Sequence, residues 1–414
     1  MKRFFAILFC SLACHSFNCV AQDATYTNEV IRHLTSAQLH GRGYVSNGDK
    51  KTARFLAREF KKTGLNAAGN EGFFQPFRFP VNRFPGKVDV KINGRNLRPG
   101  IDYIIDPSSA GIRGKFNIVS YGDWKNTITS KHDGKQWILT DTAGGRPKPS
   151  GEDIKAIREG EAGLIVVNDK KLTWGVSTQC KGAPVIQLLR SALPASPVEI
   201  EIDIDQEFKA EHKACNVIGM VEGRVKDTFI VFTAHYDHLG RMGRKTFFPG
   251  ANDNASGVSM LLNLAKHYKS PHATPKYSLL FIAFAGEEAG LMGSKHYTEQ
   301  PTHPLGRIRF LLNMDLLGTG DDGLMVVNAT EFPNEFLLLD SINREQKLLP
   351  EIGRRGKAAN SDHYWFSEKE VPAFFIYTLG GIAAYHDIFD RADTLPLTRY
   401  SEVFRLITSF TDAL

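Results

Sequence analysis

The stretch LLFIAFAGEE, residues 279–288, is apolar for seven positions and then ends in Gly286 and two adjacent glutamates, Glu287 and Glu288. A run of that length without alternation is the pattern of a strand covered on both faces. Two others share its form. IVFTAHYDH (230–238) runs apolar into His235, Asp237 and His238, and FLLNMD (310–315) runs apolar into Asp315. Further strands are expected at 324–327 and 373–377. Between the first two runs, Val258, Leu261, Leu262, Ala265 and Tyr268 recur at helical spacing, with Ser256 as a cap, and Val403, Leu406, Ile407 and Phe410 mark a C-terminal helix. Buried strands separated by helices predict an α/β fold, a mixed central sheet with helices on both faces.

The polar residues fall where such a sheet places its sites, at the carboxyl ends of strands. GANDNASG (250–257) adds an acidic loop that opens the helix after Ser256. Taken singly, each group has an ordinary reading: a solvated helix start, a turn, a satisfied polar pair. Together they bring several carboxylates and imidazoles to one sheet edge. Without a cation those carboxylates would repel and raise one another's pKa values. A divalent metal resolves the conflict.

Upstream, Ala53, Leu56, Ala57 and Phe60 recur at i, i+3, i+4, i+7 and Gly64 follows, predicting an amphipathic helix over 48–62. From about 85 to 211 the texture changes to short strand-like runs (116–121, 137–140, 164–167, 185–188) between Gly, Pro and Asp turns, with one short helix at 151–159. This β-rich segment has no clustered histidines or acids. The chain therefore divides into residues 22–85 and 212–414 as one α/β domain and 86–211 as an insert.

The chain has 414 residues, 42% hydrophobic and 23% charged, with a formal charge of +6. No basic cluster alternates with aromatics, which argues against nucleic-acid binding. Residues 1–21 read as a signal peptide: Lys2 and Arg3, an apolar stretch too short to span a bilayer, then small residues, with cleavage after Ala21. The alternative is lipid attachment at Cys14. Either way the expected location is outside the cytoplasm, periplasmic or secreted. No later segment is long and apolar enough to cross a membrane. Three of five cysteines lie in the signal, and Cys180 and Cys215 remain. In an oxidising compartment such a pair suits a disulfide; two free thiols are the alternative.

AHYDHLG, GANDNASG, AGEEAGLMGS, NMDLLG and YHDIFDRADT, in that order, resemble the co-catalytic dizinc aminopeptidases related to the secreted Streptomyces and Vibrio enzymes. LTSAQLHGRG (34–43) is similar to the lead-in of that family, and the insert looks like its protease-associated domain. The resemblance implies a zinc-exopeptidase fold and two zinc ions per chain. His235 and Asp315 would bind one ion, Glu288 and His386 the other, and Asp253 would bridge them. Glu287 would be the general base for a metal-bridging hydroxide that attacks the peptide bond next to a free N-terminus. Asp237 would orient the His235 ring. Tyr385 matches a tyrosine that polarises the carbonyl in some relatives; a packed aromatic is the alternative. His238 is read as a structural hydrogen-bonding group, Asp362 and His363 as structural or cleft-lining, and Asp393 with Thr394 as fixing the His386 loop. Glutaminyl cyclases and glutamate carboxypeptidases on the same fold are the rival activities. A binding homologue without activity, as in transferrin receptors, would be expected to have lost ligands that are all present here.

Overall fold

The computed structural model describes residues 22–127, 135–143 and 146–414. The signal segment and Cys14 lie outside the described residues. A nine-stranded mixed sheet forms the centre. Its four middle strands, Tyr277–Phe284, Val225–His235, Ile308–Met314 and Ala373–Thr378, lie side by side and parallel. Glu207–Val221 runs antiparallel on one flank, and Leu324–Val327 with Ile352–Arg354 closes the other.

The middle strands are buried over nearly their whole length, which is why they are apolar without alternation. Successive residues serve opposite faces. Ile230, Phe232, Ala234, Phe281 and Ala283 pack into one core with the helices Gly48–Thr63, Gly257–Lys269 and Tyr400–Ala413. Val231, Leu280, Ile282 and Phe284 pack into another with Tyr297 and Phe366, from the helices Met292–Glu299 and His363–Ser367. Helices therefore cover both faces.

A second, eight-stranded sheet is built from strands within residues 88–204. Four of its strands are parallel, and the helices Tyr121–Thr127 and Gly151–Gly160 lie among them. The strand Glu207–Val221 belongs to the central sheet and pairs from Glu207 with Phe74–Arg83. Among the described residues no helix is long and apolar enough to cross a membrane.

Two expectations need correction. Cys180 and Cys215 are free thiols. Cys180 is exposed, whereas Cys215 sits inside a central-sheet strand packed against the core, where burial pushes its thiol up to about 11. Ser256 does not cap its helix. Its hydroxyl donates to the Asn252 carbonyl at 2.7 Å and accepts from Leu317 N at 2.9 Å, so Asn254 Oδ1 takes the Gly257 N–H at 2.9 Å instead.

Candidate metal centre

The three central strands deliver their polar ends to one edge. His235 is the last residue of its strand, Asp315 directly follows Met314, and Glu287 and Glu288 follow Phe284 after a short turn. Gly286 makes that turn at φ 72, where a Cβ would also press on Met292 at 3.1 Å. Asp253 comes from the irregular stretch Ala251–Ser256, and His386 from the loop beyond Ala373–Thr378.

These side chains converge. His235 Nε2 lies 3.3 Å from Asp315 Oδ1 and 3.4 Å from Asp253 Oδ1. The other Asp253 oxygen, Oδ2, lies 3.0 Å from His386 Nε2, which is 3.4 Å from Glu288 Oε2. Asp253 thus turns one oxygen to each half of the cluster, as a bridging carboxylate does. Three sets of donor atoms each fall within 4.8 Å: His235, Asp253 and Asp315; His238, Asp253 and Glu288; His235, Glu287 and Glu288. In the second set His238 is already engaged, since its Nδ1 meets Glu288 Oε1 at 2.7 Å. That contact fixes Glu288 and leaves Oε2 facing His386. Asp362 and His363 are buried nearby but belong to none of the sets; Ser294 holds Asp362 Oδ1 at 2.5 Å.

Asp237 does something other than the sequence suggests. His235 Nδ1 meets the main-chain carbonyl of Asp237 at 3.2 Å, and the carboxylate stands 4.0 Å away. The carboxylate instead accepts the N–H groups of Glu287 (3.2 Å) and Glu288 (3.4 Å) and the Tyr44 hydroxyl (2.5 Å). The chain turns after His235, so the i, i+2 alternation of an extended strand no longer holds there. Asp237 pins the two-glutamate turn against the His235 strand.

The Asp253 loop is held by two residues that no motif reading picked out. Arg42 is fully buried and donates to five carbonyls: Tyr236 (2.9 Å), Leu34 (3.0 Å), Pro249 (2.6 Å), Gly250 (2.7 Å) and Asp253 (3.1 Å). Gly250, at φ 63, has no room for a side chain, because a Cβ would overlap the Asp253 carbonyl and the His238 ring. Asp390 accepts Asn252 N at 2.8 Å and Asp253 N at 3.0 Å. Of Asp393 and Thr394, both expected to fix the His386 loop, Asp393 pairs with Arg391 at 3.0 Å on the surface, while Thr394 donates to Arg391 O at 3.1 Å and reaches Phe389 O, three residues after His386, at 3.4 Å.

The centre opens into a cleft of about 430 Å³. Its further walls include Leu291, Leu316, Phe375, Tyr377 and Tyr385. Tyr385 is stacked on His386 with centroids 4.0 Å apart and is nearly half exposed. Burial, then the charge of Glu288 and further carboxylates, pushes the Glu287 carboxyl well above its usual range against the attraction of His235. Burial disfavours His386 cation, but Glu288 and Asp253 outweigh it and push the imidazole up to about 9. Asp315 Oδ1 is buried and accepts no hydrogen bond. A donor set of imidazole nitrogens and carboxylate oxygens with an orphaned oxygen fits a divalent cation, and zinc in particular.

Residues 216–411 match the model of peptidase family M28. Aminopeptidase YwaD of Bacillus subtilis (strain 168) is 29% identical over 221 residues, covering 51% of this chain and 47% of that protein. The chain spans about half the length of the curated relatives it matches. A solved zinc aminopeptidase from Bacillus subtilis aligns over 94% of both chains with a TM-score of 0.70 and 23% identity. An aminopeptidase from Aneurinibacillus sp. strain AM-1 aligns over 94% of this chain and 93% of its own, with a TM-score of 0.64 and 22% identity. Those two structures share the fold.

Proposed function

We propose that the chain, whose residues 216–411 match the model of peptidase family M28, is a zinc-dependent aminopeptidase of that family that removes the N-terminal residue of peptides. The observation that carries the reading is Asp253, whose two oxygens face the two halves of the cluster at 3.4 Å and 3.0 Å. His235 and Asp315 would hold one zinc, Glu288 and His386 the other, with Asp253 shared. Two bound zinc ions would supply an acidified water and a polarised scissile carbonyl.

The chain's own residues do the rest. Glu287 shares a donor set with His235 and Glu288, one from each half of the cluster, and would stay unligated between them. It is the carboxylate that would take the proton of the attacking water and return it to the departing amine. Asp237, through the Glu287 and Glu288 N–H groups, keeps base and ligand in register. Tyr385, stacked on His386 at the cleft wall, donates to the carbonyl oxygen as charge develops there. The carboxylates around the cleft attract a substrate ammonium group.

Glu287→Gln should keep two zinc ions per chain and lose activity by roughly 100-fold or more, whereas Glu288→Gln should lose zinc. Undiminished activity in Glu287→Gln refutes the assignment. One observation favours a carboxypeptidase instead: Arg355 donates to the Tyr377 hydroxyl at 2.8 Å, putting a cation near the cleft wall. Release of the C-terminal rather than the N-terminal residue from a tripeptide would decide for that reading.

A further inference from the structure

His386 belongs to the central-sheet part of the chain, yet its ring is oriented from the other sheet's part. Its Nδ1 meets the Trp174 carbonyl at 3.1 Å, and Trp174 N donates to the His386 carbonyl at 2.8 Å. An Nδ1–H donated to a carbonyl leaves the Nε2 lone pair free, and Nε2 is the atom that faces Asp253 and Glu288. Three residues before Trp174, the Lys171 ammonium donates to the Ala383 carbonyl at 2.7 Å and pairs with Asp387 at 2.9 Å. Asp387 in turn accepts Phe389 N at 2.8 Å. Lys171 therefore grips the His386 loop on both sides of the histidine.

This strap has no regular secondary structure of its own. It is held by the Trp174 side chain, which is buried, donates from Nε1 to Ile105 O at 2.7 Å, and stacks on Phe248 at 4.7 Å. Ile388 of the His386 loop packs on the same core. The histidine loop is thus clamped by the module built on residues 88–204.

We propose that the strap over residues 171–174 is a positioning element for His386, so that the second sheet's module completes one half of the metal centre. Lys171 and Trp174 touch no substrate and act through His386. The proposal rests on the dinuclear reading and extends it: the module would set the affinity of one metal position and leave the other untouched.

The test is a competitive chelator titration of zinc on the full chain. Lys171→Met removes both grips at a partly exposed side chain, and Trp174→Phe removes the Ile105 anchor while keeping an aromatic ring. One of the two zinc-binding steps should weaken by about 10-fold or more, the range for losing a partner that orients a ligand, and the other should stay within about 2-fold. Lys171→Arg should restore most of the loss. Unchanged affinities in Lys171→Met and Trp174→Phe would overturn the strap alone. Equal weakening of both steps would also overturn it, because that reports general damage. A wild-type chain that takes up fewer than two zinc ions would overturn both the strap and the dinuclear reading.

Discussion

Replacing Arg42 with methionine should cost more stability than any other single change near the centre. The guanidinium is fully buried; its charge is met by five carbonyl dipoles and, at longer range, by the carboxylates of Asp253, Asp390, Asp237 and Glu288. Those carbonyls come from the end of the helix Ala24–Leu34, from Tyr236 just after the His235 strand, and from Pro249, Gly250 and Asp253 in the ligand loop. Methionine fills similar volume but leaves four of the oxygens without the donor Arg42 gave them, Gly250 O keeping the Ala255 N–H at 3.3 Å. At the low end of about 1 kcal/mol for each, the loss is on the order of 4 kcal/mol. Removing the buried charge returns part of it, because burial already depresses the guanidinium to about 10. The net expectation is roughly 2–4 kcal/mol, a large share of a typical folding free energy. Urea denaturation in the presence of chelator, read by circular dichroism, measures it without involving the metal. Arg42→Lys, which keeps charge but not the planar fork, should fall between. An Arg42→Met chain within about 1 kcal/mol of wild type would refute the idea that Arg42 staples the ligand loop.

The metal-free chain should become less stable as pH rises from about 7 to 9; at lower pH, histidines such as His363, which burial lowers to about 4, work in the opposite direction. Burial raises Asp237 to about 6 and Asp362 to about 7, and carboxylate neighbours raise His386 to about 9 against the effect of burial. In each case the folded state keeps a proton that the unfolded state has released, so stability present at low pH is lost through the folded pKa; urea midpoints in chelator that climb between pH 7 and 9 would contradict this. Asp390→Ala leaves Asn252 N and Asp253 N without their acceptor and should cost about 2 kcal/mol and lower zinc affinity. Thermal melts with and without zinc check it, and an unchanged zinc-induced shift would count against the role of Asp390.

The strands that carry the site were legible because they are buried on both faces. Apolar runs such as 279–285 have no solvent side to disguise them, and their polar endings stand out. The helix Gly48–Thr63 was legible from its one buried stripe. Phe74–Arg83 was not, because Pro76 and Pro80 interrupt it; it survives as a strand along Glu207–Val221, with an isolated bridge from Asn82 to Ser177. Glu207–Val221 was hidden as well, since its first half is largely exposed and charged while its second half is buried. The ligand types were legible, but the contacts that hold them were not. Arg42 reaches carbonyls about two hundred residues away, and Trp174 acts on His386 through its main chain. A main-chain acceptor leaves no residue type to recognise. Asp237 shows the same limit: its spacing from His235 was read correctly as a contact, but the contact is made by the carbonyl.

The central claim is that a two-metal centre acts on peptides with a free N-terminus. The direct measurement is amino-acid release from a zinc-loaded chain given one peptide in two forms, with its N-terminus free and with it acetylated. The account predicts release of the first residue from the free form, abolished by chelator, and no release from the acetylated form. Equal cleavage of both forms, or release from the C-terminal end alone, would contradict it.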